Sequence, residues 1–74
     1  MALVDQILEK EVTRVAVHGP VETTYHVFSE AGSVFLQIDT YGSGDRKFKS
    51  KVSQSIQFGP EGIAALRNIL ADLP

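Results

Sequence analysis

Two stretches of the chain alternate apolar and polar side chains with a period of two, and they set the frame for everything else. Residues 34–41 place Val34, Leu36 and Ile38 on one side and Phe35, Gln37, Asp39 and Tyr41 on the other. Residues 52–58 repeat the arrangement, with Val52, Gln54, Ile56 and Phe58 opposed to Ser53, Ser55 and Gln57. Successive side chains of a strand point to opposite faces, so each stretch predicts a half-buried strand. Aliphatic groups on one side suit a core, and polar and aromatic groups on the other suit solvent or a ligand.

Two further strands are expected upstream. Residues 11–17 are rich in β-branched side chains, with Thr13, Val15 and Val17 sharing one face and Val12, Arg14 and Ala16 the other. His18-Gly19-Pro20 ends that strand, because proline cannot continue a ladder. A second strand is expected from about Glu22 to Ser29, with Tyr25 and Val27 on one side and Thr24, His26 and Phe28 on the other. The run Glu30-Ala31-Gly32-Ser33 is short enough to close an antiparallel hairpin with the strand at 34–41. Residues 1–10, with Val4, Ile7 and Leu8, suit either a short helical turn or a frayed terminus.

The pattern changes after Phe58. Gly59-Pro60-Glu61 offers proline at a first helical position and an acid near the positive helix end. Ile63, Leu66, Ile69, Leu70 and Leu73 then recur at helical spacing and cover an arc of roughly 120° at about 100° per residue. Arg67, Asn68 and Asp72 fall on the solvent side. The expectation is one α+β domain over 1–74: a four-stranded twisted antiparallel sheet within 11–58, order β-β-β-β-α, with an amphipathic helix over 60–73 on one face. So broad a stripe can cover a sheet and leave Ile63, Leu66, Ile69, Leu70 and Leu73 to form a dimer interface.

Length strengthens that last point. A chain of 74 residues forms one small domain, which buries only about 60% of the surface its unfolded form exposes. Small domains are commonly reinforced by disulfides, a metal or a partner subunit. The chain has no cysteine and only His18 and His26, so disulfides and thiolate metal sites are excluded and a homodimer is the remaining expectation. No cofactor is implied. No apolar run reaches the roughly 18 residues that span a bilayer, and Met1-Ala2-Leu3-Val4-Asp5 has no basic leader pattern. A cytoplasmic protein without membrane attachment is the plain expectation.

Net charge is −2, yet four of the seven basic residues, Arg46, Lys47, Lys49 and Lys51, fall within six positions. They lie between the two best-defined strands, behind the turn-forming Gly42-Ser43-Gly44. Such a run contacts phosphates, and Phe48 within it can stack on a base. The bland reading is a solvated loop whose charges keep a ribbon soluble and unpaired. The polar side of the ribbon, Phe35, Gln37, Asp39 and Tyr41 beside Ser53, Ser55 and Gln57, offers a stacking and hydrogen-bonding platform for unpaired bases. Asp39 opposes that use by repelling phosphate unless a cation offsets it. No nucleophile, base and orienting group occur at a recognisable spacing, so no catalytic residue is assigned. Gly42-Ser43-Gly44 lacks the lysine and hydroxyl of a phosphate loop.

On Phe35-Leu36-Gln37-Ile38-Asp39 after a glycine turn, the basic stretch from Arg46 to Lys51, and Ser55-Ile56-Gln57-Phe58-Gly59-Pro60-Glu61 entering the helix, the chain resembles a known family. This is the single-stranded-DNA-binding transcriptional coactivator family, positive cofactor four, with its short bacterial relatives. The resemblance covers about residues 25–73. It implies a homodimer paired through the helix, and a curved sheet that binds melted DNA in transcription or replication. Carried over, Arg46, Lys47, Lys49 and Lys51 would contact the sugar-phosphate backbone, and Phe35, Tyr41 and Phe48 would stack on bases. The family's strands carry more cations than these, and here Gln37 and Asp39 stand where cations are wanted. Single-stranded DNA or RNA and a second copy of the chain are thus the expected partners; the competing expectation is a protein-interaction or structural dimer module.

Overall fold

A computed structural model describes residues 1–42 and 51–74. Four strands form one mixed sheet in the order β1-β4-β3-β2, followed by a single helix. The strands are β1 (Ala2–Val4), β2 (Thr23–Glu30), β3 (Ser33–Tyr41) and β4 (Val52–Phe58), and the helix is α1 (Pro60–Asp72). The α+β architecture, the last three strands and the helix lie where the hydrophobic pattern puts them.

The hairpin between β2 and β3 turns on two residues. Ala31 and Gly32 have φ of 51° and 80°, the pair of positive values that matches the twist of a two-residue hairpin. Gly32 takes this conformation freely, whereas Ala31 is held there against its Cβ. The turn fixes the register: Phe28 faces Phe35, His26 faces Gln37 and Thr24 faces Asp39. β4 pairs with the other edge of β3, Gln57 against Gln37 and Ser55 against Asp39. The ladder slips between Thr40 and Tyr41, where Tyr41 faces Val52. Ser53 is therefore an extra residue on β4, a bulge that bends the strand beside the 42–51 connection.

Two expectations are corrected. The fourth strand is not 11–17 but Ala2–Val4, which pairs parallel with β4 through Ala2 with Ile56 and Val4 with Phe58. The sheet is consequently mixed, not antiparallel, and the first residues are neither a helical turn nor frayed. Three residues cannot offset helix nucleation, but a sheet edge that is already formed lets them pair one at a time. Residues 11–17 carry no regular structure, and Val12, Val15 and Val17 are 55%, 86% and 100% exposed. Strand-forming side chains need a neighbouring strand to pack on, and this segment has none among the described residues.

The helix begins at Gly59, whose carbonyl accepts from the Ile63 N–H at 2.8 Å, with Pro60 and Glu61 in the first turn. α1 packs against β3 and β4. Its first turn lies close to the sheet: a Cβ at Gly62 would stand 3.5 Å from Phe58 Cβ and collide with the Val4 carbonyl. Phe58 is the most enclosed apolar side chain, at 8% exposure. Ile63 and Leu66 are half-buried, while Ile69, Leu70 and Leu73 stand open. No helix among the described residues is long and apolar enough to cross a membrane.

Candidate nucleic-acid interface

The register sorts the sheet into two unlike faces. Tyr25, Val27, Val34, Leu36, Ile38, Ile56 and Phe58 fall on one, and Thr24, His26, Phe28, Phe35, Gln37, Asp39, Tyr41, Ser55 and Gln57 on the other. The second face carries the chemistry.

Two strands each place two polar groups in a row across its middle, Gln37 and Asp39 from β3 and Ser55 and Gln57 from β4. Gln57 Nε2 donates to Gln37 Oε1 at 2.9 Å, and Gln37 Nε2 donates to Asp39 Oδ1 at 2.9 Å. Ser55 Oγ donates to the same Asp39 oxygen at 2.5 Å. The chain of donors is directional: Gln57 donates to Gln37, and Gln37 in turn donates to the carboxylate at its end. Asp39 is buried at 8% exposure although it lies on the polar face. The Ser55 hydroxyl, then the Gln37 amide, hold its carboxyl below the usual carboxylate range; burial pushes the other way, and His26 adds a smaller lowering. Asp39 is thus the ionised anchor of the row, and charge-assisted bonds of this kind are the stronger ones.

Aromatic groups flank the row. Phe28 and Phe35 stack with ring centroids 5.3 Å apart and planes at 13°, and His26 leans on Phe28 at 5.8 Å. The Phe35 ring edge reaches the backbone at Gly59, 3.5 Å from where a Cβ there would stand, which ties the face to the helix start. At the opposite end, Tyr41 OH and Thr24 Oγ1 share a hydrogen bond of 3.0 Å. Beside Gln37, Ser55 and Gln57 lies an open hollow of about 330 Å³, closed at its outer edge by Met1, Ala2 and Leu3. Half-buried amides and rings can receive a flat heterocycle with a hydrogen-bonding edge.

Of the residues singled out in the sequence, Phe35, Gln37, Tyr41 and Ser55 come together on this face. Ser53 is the unpaired residue of the bulge and is exposed. Lys51 is exposed immediately before β4. Arg46, Lys47, Phe48 and Lys49 lie outside the described residues. Of the helix residues assigned to a dimer interface, Ile69, Leu70 and Leu73 are 40%, 57% and 59% exposed, while Ile63 and Leu66 are half-buried. Sequence reasoning did not assign Thr24, His26 and Phe28 to the site. The signal for them was present: with the Ala31-Gly32 turn as pivot, counting outward sets Phe28, His26 and Thr24 opposite Phe35, Gln37 and Asp39. Among the described residues no three His, Asp or Glu side chains gather as metal ligands, and no buried side-chain polar atom there is left without a partner.

Compared with known proteins, the chain matches no family model, no curated protein sequence and no solved structure.

Proposed function

We propose that the chain is a non-catalytic module that binds single-stranded nucleic acid on its polar-aromatic sheet face and acts as a homodimer. The observation that carries this reading is the face itself: a half-buried hydrogen-bonded row, Gln57–Gln37–Asp39–Ser55, bordered by the Phe28–Phe35 stack and Tyr41. Asp39 has one oxygen engaged by the Ser55 and Gln37 donors, which offset part of its repulsion of an approaching phosphate. Bases would lie on the rings and amides, and the backbone would meet Arg46, Lys47, Lys49 and Lys51, a run that begins five residues after Tyr41 in sequence. The resemblance to the positive cofactor four family supports the same assignment and a role with melted DNA in transcription or replication.

The test is a fluorescence-polarisation titration with an oligo-dT strand and with a duplex over a range of salt. Four neutralised phosphates per subunit give a log–log slope near −3 on a single strand. Replacing Arg46, Lys47, Lys49 and Lys51 together by alanine flattens that slope and leaves the circular dichroism unchanged. A second reading, a protein-interaction or structural dimer module, is favoured by the exposed Tyr25, Val27, Val34 and Ile56 on the other face. Absence of oligonucleotide binding even at low salt selects it.

A further inference from the structure

Residues 5–22 join β1 to β2 without a helix or strand, and residues 8–22 are exposed throughout. Within this connection, Val12, Thr13, Val15 and Val17 have the β-branched chemistry and alternation of a strand, yet bury almost nothing. A strand-forming segment in water, with Val17 fully exposed, is a sequence without its intended neighbour.

The sheet offers a place for one. β2 is its outer strand, eight residues long, and no strand among the described residues pairs with its outward edge. Edge strands are usually protected by lysine, proline, a bulge or a covering element. Thr23–Glu30 contains no lysine and no proline, and its pairing with β3 runs without a bulge. Tyr25 and Val27, at 72% and 59% exposure, stand beside that edge with nothing alongside.

The exposed area leaves room for a neighbour from another molecule. The chain exposes 6588 Å², whereas a compact monomer of 8.1 kDa exposes about 4,500 Å². Its radius of gyration is 14.6 Å, against about 11 Å for a compact chain of this length. The excess of about 2,000 Å² is larger than the roughly 800 Å² that each partner contributes to a stable interface. We infer that two copies exchange this segment: residues 11–17 of each add as a fifth strand to the β2 edge of the other, in an isologous pair. Seating Val15 and Val17 on the side of Tyr25 and Val27 extends the aliphatic face and places Arg14 on the polar-aromatic face. The inference rests on the self-association put forward above and is independent of nucleic-acid binding.

Two measurements on the full chain test it. In a dimer assembled from equal parts of isotope-labelled and unlabelled protein, filtered NOE spectra are expected to connect the Val15 and Val17 methyls of one copy to Tyr25 and Val27 of the other. In sedimentation, Ala16→Pro, which removes a ladder donor in a segment that contacts little within its own subunit, raises the dimer dissociation constant by at least roughly a hundredfold. Its helical circular dichroism stays as in the wild type. A wild-type chain that sediments as a monomer at micromolar concentration removes both the dimer and the exchange. A dimer whose filtered NOEs lie elsewhere, or one that Ala16→Pro leaves intact, removes the exchange alone.

Discussion

Asp39 and Gly62 show how single positions carry this fold. Asp39 is ionised in a buried setting because Ser55 and Gln37 donate to it. Its folded-state pKa lies below the ordinary value, so its contribution to stability is fully present above the unfolded carboxylate pKa and is lost as pH falls through the lowered one. Ser55→Ala deletes the largest cause of that lowering. An NMR titration of the Asp39 carboxyl is expected to show its pKa rising in this variant, with acid unfolding beginning at higher pH; an unchanged pKa contradicts the assignment. Gly62 illustrates two effects of opposite sign. In a helix interior, alanine is favoured over glycine by about 1 kcal/mol. Here the added Cβ collides with the Val4 carbonyl, and overpacking against backbone costs about 1–3 kcal/mol. Gly62→Ala is therefore expected to destabilise in urea unfolding and to loosen β1; a gain in stability would show that β1 is not seated there.

Among the elements, the β2–β3 hairpin, β4 and the helix were legible because each announces itself locally. Ala31-Gly32 sits between two period-two runs, and Gly59-Pro60-Glu61 sits where period two gives way to the helical stripe. β1 was not legible. Ala2, Leu3 and Val4 have no alternation long enough to register, and their partners Ile56, Gln57 and Phe58 lie far along the chain. The 11–17 segment failed in the opposite sense, since its local chemistry reads as a strand but pairing is a property of the neighbour. The site was half legible: Phe35, Gln37, Asp39, Tyr41, Ser55 and Gln57 followed from alternation, while the hydrogen bonds that join Gln57, Gln37, Asp39 and Ser55 depend on the register of β3 against β4. The bulge at Ser53 was invisible because the apolar and polar residues of 52–58 read as unbroken alternation, whereas the inserted residue sets Val52 opposite Tyr41 and off the side of Ile56 and Phe58. As β1 is short and at an edge, its amides are expected to exchange with solvent faster than those of β3, which is paired on both sides. Equal protection of the two would count against an edge position for β1.

At the scale of the molecule, one helix faces a sheet of four strands. Strands spaced about 4.8 Å apart form a surface wider than the roughly 10 Å that one helix covers. α1 serves the β3 and β4 side, and Tyr25 and Val27 on β2 stay open. The described fold thus separates an aliphatic side with exposed Tyr25, Val27, Val34 and Ile56 from a polar-aromatic side whose polar row is hydrogen-bonded within itself. If a second copy supplies the cover, folding and association are one equilibrium, and the thermal midpoint is expected to rise with protein concentration. A midpoint independent of concentration would point to a stable monomer.

The division of labour between the faces is most directly tested by adding unlabelled oligo-dT to the isotope-labelled protein and following side-chain resonances at low salt. The account predicts that the Gln37 and Gln57 amides and the Phe28 and Phe35 rings shift, while Val27, Val34 and Ile56 methyls hold their positions. Shifts confined to those methyls, or none at all, would contradict it.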